Sequence, residues 1–114
     1  MKKLLAFTFA LFLPIAANAT FITGNVLLDK MNSPENIEKA FALGYVTGVF
    51  DSFDEIVHCN APPSVTAGQV RDIVKKYIEN NPATRNKSAE LLIATAIGQI
   101  WPCAQSKSLR KGDT

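Results

Sequence analysis

The sequence predicts an all-α fold: a small single-domain bundle of about four helices with one disulfide. Three observations carry this expectation. Apolar residues recur at helical spacing in each long segment, no stretch alternates polar and apolar residues between hairpin turns, and two cysteines follow an N-terminal segment with the make-up of an export signal.

The chain opens MKKLLAFTFALFLPIAANAT. Lys2 and Lys3 form a basic start, residues 4–15 an apolar run, and Ala17-Asn18-Ala19 a small-x-small cleavage site, the pattern of a cleaved secretory signal peptide. Pro14 interrupts the run, which is too short to cross a bilayer, a task for ~20 apolar residues. Thr20 follows where a lipid-anchored product would carry cysteine, so no stable membrane anchor is expected. Residues 1–19 are thus expected to leave, 20–104 to form the helical domain, and 105–114 a basic tail carrying Lys107, Arg110 and Lys111. Removing 19 of 114 residues leaves 95, enough for one small domain. The 12 basic residues exceed the 10 acidic ones only through Lys2 and Lys3, so the exported chain is formally neutral. Neutrality removes the main support for a nucleic-acid or anionic-membrane partner.

The first expected helix spans Thr23 to Met31, with Val26 and Leu27 or Leu28 inward. The second runs from Pro34 to about Ile56, with Ser33 as N-cap, Pro34 at the first helical position and Glu35 at the positive end of the dipole. Ile37, Phe41, Tyr45, Val49 and Ser52 to Ile56 follow with helical spacing and form its expected core stripe. Gly44, Gly48 and Ser52 recur at four-residue steps and make a smooth side. Each glycine costs about 1 kcal/mol against alanine inside a helix, so close packing by another helix of the bundle, or by a partner, is expected there, with internal packing the first choice. Thr66 and Gln69 form a T-x-x-Q capping box, and Val65 and Val70 a hydrophobic staple, at the start of the third helix. Val70, Ile73, Val74, Tyr77 and Ile78 face inward along it, and Asn80-Asn81-Pro82 ends it. The last helix places Ala89, Leu92, Ile93, Ala96, Ile97 and Ile100 on one face, and Trp101-Pro102-Cys103 closes it.

His58 stands beside Cys59, which raises three readings for that cysteine. A nucleophile needs a base in hydrogen-bond reach, and adjacent residues on a helix point about 100° apart, so the His58-Cys59 adjacency argues against a working pair. One histidine and two cysteines lack the short paired spacings of structural zinc sites. A disulfide between Cys59 and Cys103 needs nothing further: each cysteine follows a helix end, and the bond closes a loop worth about 4 kcal/mol in chain entropy. Asp51, Asp54 and Glu55 cluster at the end of the second helix and read as solvated surface. No phosphate-binding loop, nucleophile elbow or HExxH element occurs. No catalytic, metal or cofactor-binding residues are expected, and His58 is assigned no role.

Four segments, GNVLL, GYVTGVFD, CNAPPSVTAGQVRDIVKKYIENNP and AELLIATAIGQIWPC, together resemble the Rap/Tai family of periplasmic immunity proteins against type VI secretion amidase effectors. The matching motif residues are Gly44, Tyr45, Gly48 and Asp51 in G-Y-x-x-G-x-x-D, Cys59 and Pro62 in C-x-x-P, Thr66 and Gln69 in V-T-x-x-Q, and Pro102 before Cys103. The resemblance implies a non-enzymatic helical protein that binds a peptidoglycan amidase of the Cys-His type and occludes its cleft in the periplasm; members of the family are often dimers. Many members carry a further cysteine pair at places that here fall at Met31 and Ala42, so the first helix is expected to be less firmly tied.

Two surfaces are expected to meet a partner. The first choice is the polar link Asn81 to Lys87, with Asn81, Thr84, Arg85 and Lys87. Alanine at Arg85 and Lys87 is expected to weaken binding without loss of thermal stability. The second surface is Asn60 to Ser64, stiffened by Pro62 and Pro63. A small disulfide-stapled periplasmic chaperone or stress protein is the alternative function.

Overall fold

Four α-helices follow one another in the computed structural model, which describes residues 22–104. They are α1 (Gly24–Asn32), α2 (Asn36–Ser52), α3 (Ala67–Asn80) and α4 (Ala89–Ile100), with a 3-10 turn at Pro82–Thr84. Among the described residues there is no strand; three isolated bridges join Thr23 to Ser88, Asp54 to His58 and His58 to Pro102. The expected all-α bundle is therefore what forms. The export-signal segment and the basic tail lie outside the described residues.

Each helix start has a local cause. The Thr23 side chain accepts from the Val26 N–H and caps α1. At α3 the capping box closes as expected, with the Gln69 N–H on Thr66 Oγ1 at 3.1 Å and the Thr66 N–H on Gln69 Oε1 at 2.8 Å. Ser88 caps α4 through the Leu91 N–H.

The start of α2 differs from expectation. Ser33 is extended, as a residue before proline is driven to be, and its N–H closes α1 on the Lys30 carbonyl. Its hydroxyl accepts from the Glu35 N–H at 3.1 Å, so Ser33 and Pro34 form a connector, and Glu35 becomes the N-cap without a side-chain bond. The helix also stops at Ser52, short of Ile56.

The core consists of Leu27 and Met31 from α1, Ala42 and Val46 from α2, Val70, Val74 and Ile78 from α3, and Ala89, Leu92, Ile93, Ala96 and Ile97 from α4. The expected α2 stripe is met only in part: Tyr45 and Val49 pack against the core, but Ile37 is 77%, Phe41 47% and Ile56 71% exposed, while Ala42 and Val46 are fully buried. Residues 40–50 of α2 contain no charge, so apolar side chains run all round it and periodicity alone does not select the inward face. Small Ala42 lets the neighbouring helices approach. Val26 and Ile100 are also exposed rather than inward.

Met31 and Ala42, where a second cysteine pair was considered, are both core residues. The first helix is tied at its start instead. The Gly24 N–H donates to Lys87 O at 2.9 Å, the Asn25 N–H to Arg85 O at 2.8 Å, and the Ala89 N–H to Ile22 O at 2.8 Å. Gly24 permits this approach: a Cβ there would collide with the Leu92 side chain and the Arg85 carbonyl.

Candidate interaction surface

After α2 the backbone turns sharply. The Phe53 carbonyl accepts from the Ile56 and Val57 N–H groups at 3.0 and 2.9 Å, and the Glu55 N–H reaches His58 O at 2.8 Å. Glu55 takes φ 63° and Asn60 φ 62°. Asparagine tolerates this left-handed region; glutamate there costs about 1–2 kcal/mol. In the middle of the turn Ile56 is 71% exposed, and the preceding Asp54 and Glu55 are exposed as well.

His58 holds this corner from inside. It is 1% exposed, and its ring stacks on Phe50 at 4.2 Å. Trp101 meets the other partner of that stack, Phe50, edge-on at 6.3 Å. His58 Nε2 lies 2.8 Å from the Phe50 carbonyl; a carbonyl only accepts, so Nε2 carries the proton. Nδ1 is buried without a hydrogen-bond partner and faces Asp54 Oδ1 at 3.9 Å, beyond hydrogen-bond reach. Next to it Cys59 is bonded to Cys103, with Cα atoms 4.7 Å apart, and the Cys59 N–H donates to Trp101 O at 2.9 Å. The staple forms as expected. The histidine, given no role by the sequence, is the pivot between the end of α2 and the end of α4.

Neither cysteine is a free thiol, since both sulfurs are in the bond. Among the described residues no group of three or more histidine, cysteine or acidic side chains is placed to hold a metal ion. Asp51, Asp54 and Glu55 sit exposed at the helix end.

The α3–α4 link is occupied with closing α3. The last carbonyls of a helix lack intrahelical donors, and here Asn81 Nδ2 donates to Tyr77 O at 2.8 Å, Arg85 Nε to Ile78 O at 3.0 Å, and Arg85 Nη2 to Glu79 O at 2.7 Å. Thr84 Oγ1 donates to Asn81 O. Of the four link residues singled out in the sequence, Lys87 alone is exposed. The expectation that Arg85 contributes nothing to stability is not met by these contacts: it is the cation at the negative end of the α3 dipole.

Beside Gly44 and Gly48 nothing lies within 4 Å of where a Cβ would stand. The smooth side of α2 thus faces outward, and its expected internal packing is corrected. Together with Ile37 and Phe41 it makes an exposed, uncharged helix face. Tyr45 lies at the edge of the core, its ring 6.2 Å from Phe41. Burial, and secondarily the Glu90 carboxylate, push its hydroxyl above the ordinary tyrosine pKa of 10.0. The other motif residues have structural work: the Pro62 carbonyl accepts the Val65 N–H at 3.0 Å, Thr66 and Gln69 cap α3, and Pro102 bridges to His58.

A family model described as Rap1a immunity proteins matches residues 23–103, from the cap of α1 to the second disulfide cysteine. No curated protein gives a significant match to the chain.

Proposed function

The chain belongs to the Rap1a immunity protein family, and from that premise we propose that it is a periplasmic immunity protein that inhibits a peptidoglycan amidase toxin of the type VI secretion system by covering its active-site cleft. The match across all four helices carries this reading. Inhibition by occupation requires no reactive group in the inhibitor, which accords with two cysteines committed to one bond. A disulfide across the fold also accords with an oxidising compartment, as does the signal-peptide pattern of residues 1–19.

A homodimer belongs to the same reading. A helix that is apolar all round is ordinarily buried all round, and the Ile37, Phe41, Gly44 and Gly48 face of α2 is the surface that supports pairing of two copies. The α3–α4 link contributes Lys87 as a possible contact to the effector. The test is co-expression with candidate amidases directed to the periplasm: rescue from lysis is expected with the cognate toxin, and lysis unchanged across all of them sinks the proposal.

A further inference from the structure

We infer that the turn at residues 53–58 is the segment that enters the amidase cleft, presenting Ile56 beside the carboxylates of Asp54 and Glu55; the inference rests on the amidase reading above. Peptidoglycan stem peptides carry free carboxylates, so a cleft that accepts them offers cationic groups and N–H donors. The corner has the matching character. Asp51, Asp54 and Glu55 are all exposed, and no lysine or arginine occurs between Lys39 and Arg71. Beneath them the buried Nδ1 of His58, which has no hydrogen-bond partner, faces Asp54 Oδ1 at 3.9 Å. A cationic donor from the partner, landing on Asp54, supplies what the fold itself lacks.

The corner is also suited to docking by its stiffness. Backbone bonds from Phe53 and His58, the stacked ring and the disulfide hold it in one conformation, so binding orders little. An apolar anchor with a charged rim is the arrangement that concentrates binding energy at interfaces. Glu55 sharpens the point. At φ 63° asparagine or glycine fits the backbone better, and a residue that strains its turn is expected where its side chain has a use.

The test uses the full exported chain and the peptidoglycan amidase from whose lysis it rescues cells on co-expression, with affinity by calorimetry and inhibition by cell-wall cleavage. Asp54→Asn with Glu55→Asn is expected to weaken binding about 30-fold, with the difference shrinking as salt rises. Ile56→Ala is expected to weaken it about tenfold. Glu55→Asn alone relaxes the backbone, so it should melt no lower than the natural chain while still binding more weakly, which separates loss of contact from loss of fold. Glu79→Gln, which removes a carboxylate on the exposed side of α3, should keep the natural affinity. If the natural chain inhibits and all corner variants bind within about twofold of it, the corner assignment is overturned and the family reading stands. If the natural chain does not bind the amidase, that reading falls and the corner with it. Corner variants that inhibit normally but change the sedimentation of the chain alone place a second copy there, which also overturns the assignment.

Discussion

His58 Nε2 lies 2.8 Å from the carbonyl of Phe50, on whose ring its own ring is stacked. The bond takes up a carbonyl in the last turn of α2, where a continuing helix would use the Asp54 N–H. The chain instead bends at Phe53.

Replacing His58 with alanine removes both the donor and a ring that is 1% exposed. The expected loss is about 3 kcal/mol, from the buried cavity and from a carbonyl left with only the longer Phe53 N–H contact at 3.3 Å, or a melting point lower by ten degrees or more. Thermal unfolding followed by circular dichroism reads it. A midpoint within a degree of the natural protein would show that the corner does not depend on this ring.

Reduction of the Cys59–Cys103 bond, or serine at both positions, opens a link between residues separated by 44 in sequence. About 4 kcal/mol of stabilisation should go with it. Intact-mass measurement of the exported protein should show both thiols oxidised; two alkylatable thiols would contradict the structure.

Arg85→Ala removes the side-chain donors to the Glu79 carbonyl and to the Ile78 carbonyl, the latter keeping only the Asn81 N–H at 3.3 Å, and should cost about 1–2 kcal/mol. Lys87→Ala should cost almost nothing, because its side chain is exposed. Equal melting curves for the two variants would refute the capping role.

The glycines of the fold divide sharply. Alanine at Gly44 or Gly48 enters open space and should stabilise the monomer by about 0.5–1 kcal/mol. If two copies pair on this face, the same substitutions weaken the pair, and sedimentation reads the two effects apart. Alanine at Gly24 meets Leu92 and the Arg85 carbonyl, and should cost about 2 kcal/mol.

Tyr45 sets an alkaline limit. Its pKa is raised above 10.0, first by burial and then by Glu90, so its neutral form is favoured when folded. The resulting stability is full below the unfolded value near 10 and is lost as pH rises through the folded one. Tyr45→Phe should flatten that alkaline fall in stability. In a Tyr77→Phe background, absorbance titration should show Tyr45 ionising above pH 10, and less far above it after Glu90→Gln.

What the sequence makes legible is local. Thr66 and Gln69 announce the start of α3 because a capping box needs only four residues, and Cys59 with Cys103 announces the staple because each follows a helix end and the chain holds no other cysteine. The inward face of α2 is not legible, since residues 40–50 offer no charge to mark the outside. The role of His58 depends on Phe50 folding beneath it and on Trp101 arriving from α4. The direction of Arg85 is set by the last carbonyls of α3, a signal present in the rule that cations favour helix C-termini.

The corner at residues 53–59 is assembled from parts that meet late. Its ring contacts reach back to α2, while Trp101, Pro102 and Cys103 come from the other end of the domain. Contacts so far apart in sequence carry a loop-closure cost, and the surface of the corner is complete only when both ends of the domain are in place. A partner that recognises this corner therefore recognises completion: an unfinished chain has α2 and α3 but not the surface, and is passed over until the last helix is in place.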